Sequence, residues 1–425
     1  MNALLAQDAP AHGWYRFVLS FPPHLVRDYA HRFELDGSQR LLDPFCGTGT
    51  TLVEAKKLGV PSIGLEAVGV SRLAASTKVD WSPDPDGLVE HARLIAEKAL
   101  AMLAADGISD EPMAMPPPDV RLRSLPEQTA KLLLKNSISP LPLHKVLVLK
   151  EALDGEHDPN FTAHELLALA RVLPADVGNL RFGPEVGVGK IKQDAKVVSR
   201  WLSNVLSMSD DLRHLGSLNT TPAQALYGDA RAVDRHIEPN SIDAVITSPP
   251  YPNEKDYSRT VRLESVLLGH IHERSDLQAM KCGLVRSNTR GVYRNDDDDE
   301  WISGDAEVER IAAAIEARRI ALGKESGFER MYHRVTKLYF GGMARHFTSL
   351  SKALRPGARL AYVVGDQASY LRVMIRTGEI LSEIAERAGY EVEAIDLFRT
   401  RHATATNEQL REEVLVLRWP GTPRA

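Results

Sequence analysis

Two short stretches carry residue types that could do chemistry, and their order along the chain suggests how. Thr247-Ser248-Pro249-Pro250-Tyr251 follows the buried-type run Ser241 to Ile246. Consecutive prolines remove two backbone N–H donors and stiffen the turn, so carbonyl oxygens are left to accept hydrogen bonds. Tyr251 then stands as a flat aromatic platform beside those acceptors. Such a set suits an amino group carried on an aromatic ring, although a strand cap with a surface tyrosine has the same local pattern. The second stretch is Leu41-Leu42-Asp43-Pro44-Phe45-Cys46-Gly47-Thr48-Gly49-Thr50-Thr51. It reads as a short strand broken at Asp43-Pro44, a turn made tight by Gly47 and Gly49, and a helix from Thr51 to Leu58. The unpaired N–H groups at such a helix start face a polar ligand. Pro61 to Glu66 reads as a second strand ending in an acid, placed to accept from ribose hydroxyls. The third glycine of the dinucleotide fingerprint is missing and no G-K-[ST] follows, which excludes a P-loop.

Taken together, the Asp-Pro-Phe-Cys-Gly-Thr-Gly-Thr and Thr-Ser-Pro-Pro-Tyr motifs resemble those of S-adenosylmethionine-dependent exocyclic-amino DNA methyltransferases. The similarity runs from about Trp14 to Lys78 and again from Tyr227 to Trp419. It implies a Rossmann-like class I methyltransferase fold: a doubly wound, mostly parallel sheet with an antiparallel final strand, here with a helical insertion. It implies a cofactor site of Phe21, Asp43, Phe45, Gly47, Thr48, Gly49, Thr50, Glu66, Asp229 and Ala230, with Asp229 receiving the adenine amino group. It also implies that Tyr251 stacks a flipped base while Ser248 and the Pro249 carbonyl, in the turn with Pro250, accept from its amine. Serine at the head of the tetrapeptide goes with N4 of cytosine in this family, and Asp or Asn with N6 of adenine. The activity implied is therefore site-specific methylation of double-stranded DNA, most simply at cytosine N4, yielding S-adenosylhomocysteine, with a cognate restriction endonuclease as a further partner. An N6-adenine enzyme, an RNA base methyltransferase, a protein-glutamine methyltransferase and a non-enzymatic DNA-binding or cofactor-sensing protein are the competing readings.

The elements that must position these residues divide the 425-residue chain into three parts. Residues 1–86 read as the cofactor-binding half of the core and 221–425 as the catalytic half. Between them, 87–220 is mainly helical text with strand-like runs nearly absent. Helices are expected over Glu90–Ala104, Glu127–Asn136, Leu143–Leu153, Ala163–Val172 and Ala195–Leu206. This insertion is the candidate target-recognition module. Within it, Arg181 and Phe182 precede Gly183-Pro184, a base beside an aromatic that could reach DNA or form an ordinary loop. Lys192, Lys196 and Arg200, spaced by four, would share one helix face. The stretch 255–294 is basic, and Lys255, Arg259, Arg286 and Arg290 are candidate phosphate contacts; a solvated loop and helix face is the alternative. The acidic block 296–300 reads as a solvated loop, lacking calcium-loop spacing.

Composition narrows the class. A hydrophobic share of 43% and a charged share of 26% suit a globular domain, and no uncharged apolar run is long enough to span a membrane. Net charge is −5, so any nucleic-acid surface must be local. Cys46 and Cys282 are the two cysteines, too few for a disulfide framework or a thiolate metal site. A cytoplasmic protein that uses no metal is the expectation. Cys46 is expected to pack inside the turn, and His333 and His346 to be surface or packing residues.

Overall fold

A computed structural model describes residues 4–16, 20–113, 115–183, 185–253, 256–402 and 409–421. Lys255, Glu254 and Pro184 lie outside the described residues.

Nine strands are described: β1 (Leu41–Asp43), β2 (Ser62–Glu66), β3 (Leu180–Phe182), β4 (Val186–Val188), β5 (Ala223–Tyr227), β6 (Ile242–Thr247), β7 (Leu354–Gly365), β8 (Glu391–His402) and β9 (Gln409–Arg418). Seven form one sheet in the order β5-β2-β1-β6-β7-β9-β8. Pairing is parallel from β5 to β7, and β9 runs antiparallel to both β7 and β8. A doubly wound sheet closed by an antiparallel strand inserted next to β7 is the class I methyltransferase fold. The central strands carry near-continuous apolar runs because helices cover both faces. β1 is buried throughout, and β6 is buried at all but one position. Strand order reverses around β1, between β2 and β6, and the crevice for a ligand opens at the carboxyl ends there.

The helix Thr50–Lys57 leaves β1, Gly69–Val79 leaves β2, and Tyr332–Ser351 leads into β7. Four long helices, Pro85–Ala105, Pro140–Gly155, Thr162–Val172 and Val198–Leu215, supply most of the helical stretch between β2 and β5. Their apolar faces do not close on themselves. Trp201, Leu149, Leu169 and Ile95 pack in one continuous core with Leu52, Val53, Val70 and Ala74 from the helices beside β1 and β2.

Local expectations fail where a distant side chain intervenes. The helix expected from Ala195 starts at Val198, because Asp110 accepts from the Val197, Val198 and Ser199 N–H groups at 2.8, 3.0 and 2.9 Å and caps it there. Lys192 and Lys196 therefore precede the helix and do not share a face with Arg200. Lys192 donates instead to the Ala175 and Gly178 carbonyls, and Lys196 pairs with Glu111. The expected helix Glu127–Asn136 ends at Ala130, and Asn136 sits at φ 64° with its carbonyl held by Asn179. Arg181 and Phe182 lie on a hairpin, β3 against β4, with Arg181 opposite Gly187.

Candidate active site

The Gly-rich turn closes because two of its residues are glycine. Gly47 and Gly49 adopt φ 52° and 86°, and a Cβ on Gly49 would stand 2.9 Å from the Ala75 backbone. The helix Thr50–Lys57 thus starts pressed against the helix Gly69–Val79, with Thr48 and Thr50 on the crevice. Cys46 packs its sulfur where a Cβ of Gly64 would be, 2.7 Å away, and burial pushes its thiol pKa well up. It is a protonated packing group, as expected from its place inside the turn.

Asp43 has a different place from the one expected. It is fully buried and does not line the cleft; it joins the turn to the neighbouring strand. Thr247 Oγ1 donates to Asp43 Oδ1 at 2.5 Å, the Phe45 N–H donates to the same oxygen at 3.1 Å, and Thr51 Oγ1 donates to the Ile246 carbonyl at 3.2 Å. Burial raises its pKa to about 6 against those donors. The residue just before Ser248 is thereby tied by a buried hydrogen bond to the strand end that opens the Gly-rich turn. Gly49 likewise lies outside the lining, as a packing glycine.

Around the turn lies a cleft of about 890 Å³, lined by Phe21, Phe45, Gly47, Thr48, Thr50, Glu66, Asp229, Ala230, Ser248 and Pro250. Ten of the fourteen residues expected in the cofactor and catalytic sets therefore meet on one cavity of small-molecule size. Ser20, Tyr257 and the segment Gly283–Val285 also line it. The last of these carried no signal in the sequence, since only the path of the basic stretch brings it over the cleft.

Glu66 ends β2, with Oε1 accepting from the Val68 N–H at 2.7 Å. Burial lifts its carboxyl to about pH 7, opposed by the surrounding N–H groups. Across from it, Asp229 accepts from the Arg231 Nη2, Nε and backbone N–H at 2.7, 3.0 and 2.8 Å. Arg231 is itself buried, bonded to Asp298 and to the Cys282 carbonyl. Asp298 also receives Arg345 at 3.2 Å. The acidic block is thus only in part the solvated loop expected: Asp297 and Glu300 are exposed, but Asp298 is buried. Its turn lies directly on the helix Tyr332–Ser351, where a Cβ on Gly341 would fall 1.8 Å from the Asp298 carbonyl. A short-range acidic run looked solvated because its cations come from far along the chain.

Phe45 rests edge-on to His346, ring centroids 5.0 Å apart. His346 is buried, with Nδ1 2.6 Å from the Ala230 carbonyl and Nε2 2.7 Å from the Tyr362 hydroxyl; burial lowers its pKa to about 4. It is a neutral packing residue under both lips of the cleft.

At the turn Ser248–Tyr251, Ser248 Oγ donates to the Val363 carbonyl at 3.2 Å. That bond uses the hydroxyl proton and leaves its lone pairs as acceptors. Pro249 is buried, and Tyr251 lies on β7: a Cβ at Gly365 would stand 2.7 and 3.0 Å from Tyr251 Cε2 and Cδ2. The aromatic platform therefore rests on bare backbone, a seat that only glycine leaves open. Sequence reasoning missed Gly365.

The expected DNA contacts separate. Arg290 is exposed, its guanidinium 5.1 Å from the Phe328 ring centroid. Arg259 is half-buried, with Nε lacking a hydrogen-bond partner. Arg286 is the correction: it is buried, gripping Asp296 through Nε at 2.8 Å and Nη2 at 2.7 Å and donating to the Lys281 and Leu284 carbonyls. A guanidinium so used has no fork left for phosphate. Arg181 is exposed on its hairpin, and Phe182 borders a second cavity with Arg16, Arg171 and Glu264. Among the described residues no helix is long and apolar enough to cross a membrane.

The sheet has the class I methyltransferase fold, and residues of both motifs meet on one crevice. No family model matches the chain. It is 24% identical over 426 residues to the type II methyltransferase M.BsoBI of Geobacillus stearothermophilus, across 93% of this chain and 82% of that protein. It is 23% identical over 452 residues to the type II methyltransferase M.AvaI of Nostoc sp., across 97% of this chain and 87% of that one. Among solved structures, TrmN from Thermus thermophilus aligns with 94% of this chain and 49% of its own, at 11% identity and a TM-score of 0.29. A putative DNA modification methylase, also from Thermus thermophilus, aligns with 47% and 54%, at 16% identity and a TM-score of 0.24.

Proposed function

We propose that this chain is a site-specific DNA methyltransferase that uses S-adenosylmethionine and acts on the exocyclic amino group of an extruded base, N4 of cytosine. The observation that carries the reading is the meeting of Ser248 and Pro250 with Glu66, Asp229 and the Gly47 turn on one cleft. The names of the two type II methyltransferases similar to it along nearly all its length point the same way.

The donor set fits the cofactor. Glu66, at a strand end and bordered by backbone N–H groups, is an acceptor for ribose hydroxyls. Asp229, clamped by Arg231, keeps acceptor capacity for an adenine amine, with Ala230 and Phe45 beside the ring. Thr48 and Thr50 face the polar tail at the helix start, with Phe21 opposite. When bound, S-adenosylmethionine supplies an electrophilic sulfonium methyl, and S-adenosylhomocysteine is its product.

The chain's own task is to align a weak nucleophile. The lone pair of an aromatic amine is delocalised into its ring. Ser248 Oγ and the Pro249 carbonyl accept the amine hydrogens and draw the nitrogen towards sp³ geometry, and alignment supplies much of the rate. Tyr251 offers its face to the base, offsetting part of the few kcal/mol that extrusion costs. Recognition is assigned to 87–220, through Arg181 and Phe182, and phosphate grip to Arg259, Arg290 and Lys255. A restriction endonuclease of the same specificity is a further partner proposed for the chain, on the names of the two type II relatives.

The test is transfer of labelled methyl from S-adenosylmethionine to duplex DNA, tRNA and protein extract, followed by nucleoside mass spectrometry. N4-methylcytosine in duplex DNA is expected. N6-methyladenine replaces the base assignment, and label confined to tRNA or protein overturns the DNA reading.

A further inference from the structure

A narrower recess of about 400 Å³ adjoins the cleft and shares Ser20, Phe21, Thr48 and Thr50 with it. Its far wall includes Lys78, from the last turn of the helix Gly69–Val79. Lys78 is 2% exposed. Among the described residues its ammonium has no hydrogen-bond or ion-pair partner. The other buried lysine of the helical layer shows the contrast: Lys145 Nζ meets Asp194 at 2.7 Å and the carbonyls of Asp110 and Ala195. Nearby Glu54 is no counter-ion for Lys78, being taken by His12, Arg27 and Lys57. A buried ammonium left without an anion costs stability unless something supplies one.

We propose that Lys78 binds the α-carboxylate of the cofactor's methionine moiety, in the recess beside Thr48 and Thr50. The inference rests on reading the cleft as the S-adenosylmethionine site. The geometry sets the direction. Glu66 and Asp229 take the nucleoside end of the cleft, so the amino-acid end points past the start of the helix Thr50–Lys57 into the recess. There the helix dipole and the ammonium both favour negative charge. Burial, with Arg16 close by, lowers the Lys78 pKa to about 7. An arriving carboxylate favours the protonated ammonium and forms a charge-assisted bond. Neither motif contains Lys78, so the sequence alone did not mark it.

Calorimetry on the full-length wild type, Lys78→Met and Lys78→Gln decides the matter with three ligands: S-adenosylhomocysteine, its decarboxylated form, and 5′-methylthioadenosine, which lacks the whole amino-acid tail. Both variants should bind S-adenosylhomocysteine about 10- to 100-fold more weakly, the range for a hydrogen bond to a charged group. They should bind the other two ligands within about two-fold of wild type. Without ligand, Lys78→Met should melt at or above the wild-type temperature, because an unpaired buried charge has been removed. Equal losses for all three ligands, no loss for any, or a lower melting temperature in the absence of ligand each overturn the role of Lys78. Failure of wild type to bind S-adenosylhomocysteine or 5′-methylthioadenosine overturns the cofactor site itself, a separate result.

Discussion

Gly365→Ala is the sharpest perturbation of the Ser248–Tyr251 turn that substitutes none of the residues proposed as catalytic. The added methyl would stand 2.7 Å from Tyr251 Cε2 and 3.0 Å from Cδ2. Carbon atoms in contact prefer about 3.5–4.0 Å, so the ring must move by roughly 1 Å. The backbone there is extended strand and alanine fits it, so the strain falls on the ring. Stability should drop by about 1–3 kcal/mol, the usual cost of overpacking. Activity should drop further in proportion, because a misplacement near 1 Å costs about 100-fold in rate. The measurement is kcat for methyl transfer to duplex DNA alongside calorimetric affinity for S-adenosylhomocysteine, which should stay close to wild type. A double-mutant cycle separates this from general damage: once Tyr251→Ala removes the ring, adding Gly365→Ala should cost little more. Wild-type kcat in Gly365→Ala, or equal rate losses with and without the ring, would refute the seat.

Other substitutions test neighbouring parts of the reasoning. Arg286→Ala breaks a buried pair and should cost about 3–5 kcal/mol of stability; urea melts check this, and a stable variant with a changed DNA salt slope would restore Arg286 as a phosphate contact. Arg290→Ala should leave stability unchanged and reduce the slope of log K against log salt by about 1, measured by fluorescence anisotropy. Arg181→Ala should lower discrimination between cognate and scrambled duplexes more than it lowers non-specific affinity. Burial raises Glu264 to about 7 while Tyr15 donates to it at 2.9 Å. The folded state therefore holds a proton that the unfolded chain has released between about pH 4.5 and 7, and stability falls as pH rises through that window. Glu264→Gln should flatten the wild-type decline in melting temperature between pH 5 and pH 7.5; an unchanged decline would remove Glu264 as its source.

What the sequence determined by itself was local. Strand, turn and helix around Gly47 and Gly49, the acid closing β2, and the stiff Ser248–Tyr251 turn all follow from contiguous residue types and their period. So does the fold class, because strands and helices alternate in both halves and the final strands lie close together in sequence. Tertiary structure decided which distant groups these residues meet. Asp43 carries a motif position, yet Thr247 makes it a tie between strands. Arg286 looked like one more cation in a basic stretch, until Asp296 and two carbonyls consumed it. Asp298 looked solvated, until Arg231 and Arg345 reached it from other elements. Gly365 is silent in sequence, because the ring it seats lies on another strand's turn. Periodicity reports whether a face is buried, but a charge or a gap has no meaning until its partner is known. Those partners meet only through the crossovers that set strand order, which is why chain neighbours exposed the chemistry and only the folded sheet showed how it is held.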